Sequence, residues 1–271
     1  MQYKSINILL DPVLVMHMSP VSFAGPTRFR EFAVTMEELP KIDLVLISHN
    51  HYDHLDITTM QYIYGRDKCS IIAPLGNKAW FKNNGMEAED SDWWDEYVCK
   101  SGEKPAARVT CCPAQHGTAR GVRDRNATLW CSWAIDLGEK KIYFAGDTGY
   151  RSVPDDLTPE QVEATPPCPA FKDIGVRLGP FDIALLPIGC FLPKSFMSNI
   201  HMSPDDAVYV HKDVKATRSL GMHYGTIRGG LSQHYEDVLE PVKRLKLACG
   251  TAGFEFGKDL FVCDIGETVD L

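Results

Sequence analysis

The feature that most constrains this chain is residues 42–56, where an apolar run stops and four metal-competent side chains follow at once. Leu44 to Ile47 is short, apolar and β-branched at Val45 and Ile47, which predicts a buried strand. His49, His51, Asp53 and His54 then fall on the loop that leaves it. In extended chain the alternate spacing of His49 and His51 aims both imidazoles to one side. Asp53 and His54 can face them after the turn. A polar loop with scattered histidines is the competing reading. Three imidazoles and a carboxylate within six residues favour a site for a borderline cation such as zinc.

The pattern His49-x-His51-x-Asp53-His54 after an apolar strand resembles the signature of the metallo-β-lactamase superfamily. Its longer form, Ser48 to Asp56, is similar to the branch of phospholipases D that hydrolyse N-acylphosphatidylethanolamine. Four later segments carry the same resemblance: Gly138 to Tyr150, Arg177 to Asp182, Leu186 to Gly189, and His223 to Thr226. Residues 151–167 have no counterpart in it. The chain also starts at what corresponds to the family's second strand, so the first strand is expected to be missing.

Three further ligand-type residues each follow an apolar run. His116 comes after Cys111 and Cys112, Asp147 after Ile142 to Ala145, and His223 after Leu220 to Met222. With the first four they match the seven ligands of the superfamily's two-metal members. The resemblance implies two zinc ions: His49, His51 and His116 on one, Asp53, His54 and His223 on the other, and Asp147 bridging. It also gives Asp53 and Asp147 a catalytic part around a hydroxide shared by the ions. The implied fold is α/β, a four-layer αββα sandwich formed as a single domain over residues 1–271, with 151–167 as a surface insertion.

The implied reaction is hydrolysis of N-acylphosphatidylethanolamine to N-acylethanolamine and phosphatidic acid. Two alternatives stay open: hydrolysis of another ester, such as a lactone or thioester, and a truncated inactive form. His201 lies in a segment that resembles one lining the family's active site. Tyr52 is a candidate contact for the substrate head group, and Arg120 and Arg123 for its phosphate. Phe191, Leu192, Phe196 and Met197 are candidates for an acyl-chain groove or a membrane-facing lip. His17, His211 and His234 lack such context and are expected to be surface or structural residues.

Composition narrows the partners. A chain of 271 residues with 44% hydrophobic and 24% charged residues can bury a sizeable core. Its net charge of −8 argues against nucleic acid, whose binding needs a basic surface. The resemblance implies a phospholipid and a membrane surface as partners, with room for a homodimer. Nine cysteines without regular spacing suggest reduced thiols in an intracellular compartment, and the resemblance implies peripheral membrane association, mitochondrial and endomembrane sites both being open.

Other expected elements are a strand over residues 5–15, a helix over 57–66, strands over 70–74 and 181–187, and helices over 203–213 and 232–249. Thr35 and Glu38 have the spacing of a helix capping box. Gly102 and Pro105 are expected to break the strands of residues 86–113. The prolines of 151–169 predict an irregular loop.

Overall fold

The structure is a computed structural model that describes residues 1–101 and 104–270. The chain forms two compact units, residues 1–113 with 117–139, and residues 114–116 with 140–271.

In the first unit the strand Leu44–Leu46 is buried throughout. It runs parallel to Ile6–Leu10 on one side, with Ile8 opposite Leu44, and to Ser70–Pro74 on the other, with Val45 opposite Ile71. A strand enclosed on both sides and both faces must be apolar throughout, which is why Leu44 to Ile47 does not alternate. The outer neighbour of Ile6–Leu10 is the two-residue strand Gln2–Tyr3, and Glu89–Ser91 closes the other end of the sheet. The helix Ile57–Asp67 begins where Asp56 accepts a bond from the Thr59 amide at 2.6 Å. Its Met60 and Ile63 join Val45, Ile47, Leu55 and Phe81 in one cluster. Full burial of each such side chain contributes roughly 1.5–3 kcal/mol.

The antiparallel strands Glu96–Ser101, Lys104–Cys112 and Ser132–Asp136 complete this unit. Lys104–Cys112 runs through Pro105, with a register shift beside it: Cys99 faces Ala107 and Lys100 faces Pro105, so Ala106 is the extra residue of the ladder. The break expected at Gly102 lies outside the described residues. Trp133 is fully buried and donates its indole N–H to the Ile47 carbonyl at 3.0 Å. The carbonyl of Ser48 accepts from the Cys131 amide at 2.9 Å. The end of the central strand is thereby held just before His49.

The second unit is built on parallel strands. Lys141–Phe144 pairs with Phe181–Pro187, which pairs with Ala216–Met222, which pairs with Leu260–Phe261. The helices Ala170–Arg177, Pro204–Asp213 and Glu240–Ala252 belong to the same unit. Ser203 caps the second of these by accepting from the Asp206 amide at 3.2 Å.

Three expectations fail locally. Thr35 and Glu38 do form half of a capping box, the Thr35 amide donating to Glu38 at 2.8 Å, but they close turns and no helix follows. The helix expected from residue 232 starts at Glu240 instead. Pro241 sits in its first turn, the one place where a residue without an amide N–H fits a helix. Residues 151–167 are not simply a loop: Pro159–Ala164 is helical with a complete capping box at Thr158 and Gln161. Arg151 and Val153 are buried. All nine cysteines are free, and burial pushes the Cys69 thiol up to about 11. Among the described residues no helix is long and apolar enough to cross a membrane.

Candidate metal centre

The first unit places His49, His51, Asp53 and His54 on the loop at the carboxyl end of its central strand. His54 and Leu55 both donate their amides to the His51 carbonyl, at 3.1 and 2.8 Å, which turns the loop back on itself. Asp56 then starts the helix. His49 Nε2 lies 2.9 Å from His51 Nδ1, a separation that suits one N–H···N bond or one shared cation. The His49 and His54 rings are 4.1 Å apart, and His54 Nε2 is 3.6 Å from Asp53 Oδ2.

One residue that sequence reasoning missed orders this set. Asp11, which falls within the strand expected over residues 5–15, accepts three hydrogen bonds. They come from the Ser48 amide at 2.6 Å, the Ser48 hydroxyl at 2.5 Å and His54 Nδ1 at 2.7 Å. These bonds decide the tautomers. With its proton given to Asp11, the Ser48 hydroxyl can only accept from His49 Nδ1, 2.9 Å away. His54 likewise uses its Nδ1 proton on Asp11. In the neutral form each ring then carries its lone pair on Nε2, the form that binds a metal. Asp11, His49 and His54 each offer an atom within 4.8 Å of the others. The only signal in the sequence was an acidic residue at a strand's carboxyl end, 37 and 43 positions from its partners.

Arg120 also belongs to this loop. Its Nη1 donates to the carbonyls of Asn50 and Leu55, both at 2.8 Å. Its guanidinium lies 4.0 Å from the Tyr52 ring and 5.1 Å from Trp80, and Tyr52 donates its hydroxyl to the Arg120 carbonyl at 3.2 Å. Asp124 holds the Arg120 amide in turn. Arg120 thus ties both ends of the segment carrying His51 to His54, and Tyr52 is part of the tie. Neighbouring Arg123 is exposed. Arg120→Lys keeps the charge but loses the planar fork. Losing one charge-assisted hydrogen bond, worth about 1.5 kcal/mol, is expected to speed amide exchange over residues 50–56 about tenfold. Hydrogen-exchange mass spectrometry measures this, and unchanged exchange would remove Arg120 from the clamp.

The second unit supplies His116, Asp147, His201 and His223. Asp147 follows the strand Lys141–Phe144, and the loop beyond it passes so close to Ser198–Asn199 that a Cβ on Gly149 would lie 2.6 Å from the Asn199 carbonyl oxygen. The Met202 amide donates to the Thr148 carbonyl at 2.7 Å and the Gln115 amide to the Thr148 hydroxyl at 2.8 Å. These bonds bring His116 and His201 to Asp147. His223 Nε2 lies 3.2 Å from Asp147 Oδ1, while His116 Nε2 and His201 Nδ1 lie 4.0 and 3.9 Å from Oδ2. His116 Nδ1 donates to the Ile200 carbonyl at 2.8 Å, which in the neutral ring leaves the lone pair on Nε2. His116, Asp147 and His201 offer atoms within 4.8 Å of one another. His201 thereby joins the set by position.

The donors fit a divalent cation. In the first unit His49 and His54 are oriented by Ser48 and Asp11, and in the second His116 is oriented by the Ile200 carbonyl beside the buried Asp147. Each unit thus carries a His and Asp cluster of the kind that holds a metal ion. Other candidates fall elsewhere. Phe191 and Met197 are buried in the core, so they cannot form a surface lip, whereas Phe196 is 61% exposed. Glu236, also missed, receives the Cys190 and Phe191 amides at 3.1 and 2.9 Å, and burial holds its carboxyl above the usual range. His211 is buried against the Ser219 hydroxyl at 2.8 Å, a structural role.

Known proteins can now be set beside this geometry. The sequence profile of the beta-lactamase superfamily domain matches residues 6–224. The chain is 38% identical over 252 residues to N-acyl-phosphatidylethanolamine-hydrolyzing phospholipase D 1 of Caenorhabditis elegans, a match covering 90% of this chain and 65% of that one. It is 32% identical over 273 residues to the mitochondrial N-acyl-phosphatidylethanolamine-hydrolyzing phospholipase D of Saccharomyces cerevisiae, covering 98% and 52%. The chain thus spans between about half and two thirds of the length of these relatives. Among solved structures, the isothiocyanate hydrolase from Delia radicum gut bacteria matches with a TM-score of 0.70 over all of this chain and 95% of that one. At 19% identity this is a likeness of fold. With the profile spanning most of its length and an α/β frame that matches a solved hydrolase, the chain belongs to the beta-lactamase superfamily and has the metallo-β-lactamase fold.

Proposed function

We propose that this protein is a zinc-dependent phosphodiesterase that hydrolyses N-acylphosphatidylethanolamine to N-acylethanolamine and phosphatidic acid. The observation that carries the reading is the similarity, over nine tenths or more of the chain, to two proteins named for that reaction. The preset imidazoles support it, because a hydrolase without a serine or cysteine nucleophile needs another way to activate water.

By the resemblance, His49, His51 and His116 would hold one ion, Asp53, His54 and His223 a second, and Asp147 would serve both. When bound, such ions supply Lewis acidity and a water that ionises near neutral pH. The chain's residues do the rest. Asp11 and the Ile200 carbonyl keep the imidazoles in the ligating tautomer. Asp53 and Asp147 supply the negative charge that balances the cations, and an Asp147 carboxylate oxygen can take the proton of the attacking water. Attack on phosphorus breaks the bond to the ethanolamine oxygen, which leaves with a proton as N-acylethanolamine. His201, 3.9 Å from Asp147, is the candidate for contact with the substrate. Tyr52 and Arg120 act mainly by fixing the metal loop. Phe196 is the apolar candidate for contact with a bilayer, with Arg123 as a cation for its surface. The protein would work from a membrane surface inside the cell, as a monomer or a homodimer.

The test is release of phosphatidic acid from vesicles containing N-acylphosphatidylethanolamine by the zinc-loaded chain. Release that stops on chelation and returns with zinc is the expected result. A zinc-loaded chain that cleaves a lactone or thioester but leaves the vesicles intact would overturn the substrate assignment and keep the metal centre.

A further inference from the structure

The segment without a counterpart in the resembling sequences does have a place in the fold. Its helix Pro159–Ala164 forms one wall of a cavity of about 640 Å³ in the second unit, with the helices Pro204–Asp213 and Glu240–Ala252 contributing the others. The volume lies in the range of small-molecule sites, about 300–1,000 Å³. None of the proposed metal ligands lines it. The walls are apolar at Leu157, Val162, Val208 and Ala248.

The charges around the cavity are unequal. Four cations line it, Arg151, Lys194, Lys212 and Arg244, against three carboxylates, Glu163, Asp205 and Asp206. Each carboxylate already has a partner. Asp206 meets Arg151 at 2.9 Å in a buried pair, Asp205 meets Arg244 at 2.6 Å, and Glu163 receives the Tyr209 hydroxyl at 3.0 Å. Lys212 lies over the Tyr209 and Phe254 rings, 5.6 and 5.2 Å from their centres. Neither Lys194 nor Lys212 has a carboxylate at ion-pair distance among the described residues, although Asp155 stands beyond Lys194 beside Ser195. A cavity with a cationic surplus in a chain of net charge −8 runs against the molecule's own charge and selects anions from solution.

We propose that this cavity is a second ligand site, separate from the metal centre, for an anion carrying a short apolar body. Lys212, assisted by Lys194, receives the anionic head, while Leu157, Val162, Val208 and Ala248 take the apolar part. The buried Arg151–Asp206 pair forms a fixed polar boundary. Arg151 also donates to the Val162 carbonyl at 2.9 Å, which ties the added wall to the unit. The assignment does not depend on which reaction the metal centre performs.

Calorimetric titration of the zinc-loaded full chain tests it, with decanoate, decyl phosphate, decanol and inorganic phosphate as probes, each below any micellar concentration. One saturable site for decanoate or decyl phosphate is expected, and the tighter of the two identifies the head group. Decanol and inorganic phosphate should each bind at least about tenfold more weakly, since each lacks one half of the interaction. Lys212→Met should weaken the amphiphile about tenfold, and Val162→Trp should abolish its binding while zinc content stays unchanged. Ala252→Phe fills the cavity from another wall, so a folding defect in one variant does not decide the outcome. No saturable binding, or binding that survives both filling variants, would overturn the site. Decanol binding as tightly as the anions would overturn the role of the lysines.

Discussion

Asp147→Asn is expected to cost the protein most of its tightly held metal and nearly all of its turnover. The carboxylate is 3% exposed and stands beside His116, His201 and His223. The amide keeps the volume but removes the charge that would serve both ions. Loss of a mere outer partner typically lowers metal affinity or activity by about 10–100-fold, and a shared ligand should exceed that. Elemental analysis of the purified variant and phosphatidic acid release from vesicles are the two measurements. Two retained equivalents of zinc, or turnover within tenfold of the parent, would defeat the paired centre.

Asp11→Asn is expected to weaken metal binding by about 10–100-fold without removing any ligand. Asp11 accepts from the Ser48 amide on one oxygen and from the Ser48 hydroxyl and His54 Nδ1 on the other. An asparagine has one acceptor and one donor end. Whichever way it turns, an N–H faces a group that was donating. Either the Ser48 amide is left unpaired, or His54 and Ser48 must reverse their protons and His49 loses its preset tautomer. Competition against a chelator of known affinity reads the change. Affinity equal to the parent would show that the hydrogen bonds to Asp11 do not control the ligand rings.

Asp11 also shows what the sequence could and could not disclose. Strand-to-loop switches are local, so Leu44 to His54, Ile142 to Asp147 and Leu220 to His223 announce themselves by an apolar run and a polar stop. The strands Ser70–Pro74 and Phe181–Pro187 were legible for the same reason. The partners of Asp11 and Arg120 are set by the tertiary fold, and nothing next to either residue marks them. Burial is equally non-local. Phe191, Phe196 and Met197 look alike in sequence, yet only Phe196 faces solvent. The Thr35 box formed its bond without a helix because a cap satisfies an end and does not supply a buried face, and packing of such a face contributes most helical stability in proteins. At residues 159–164 the cap acts together with the bonds from Arg151 to the Val162 carbonyl and from Tyr209 to Glu163.

Asp11 and His223 share one more property, a backbone in the left-handed region, with φ of 43° and 61°. For residues with a Cβ this conformation costs roughly 1–2 kcal/mol, a penalty glycine escapes. At these two positions the locally more stable residue is therefore one that would erase the orienting carboxylate or the ligand. Selection for thermal resistance alone would drift toward glycine there and lose the chemistry on the way. Only selection that scores metal retention or turnover holds the two side chains in place, so they trace which pressure a lineage of such chains has been under.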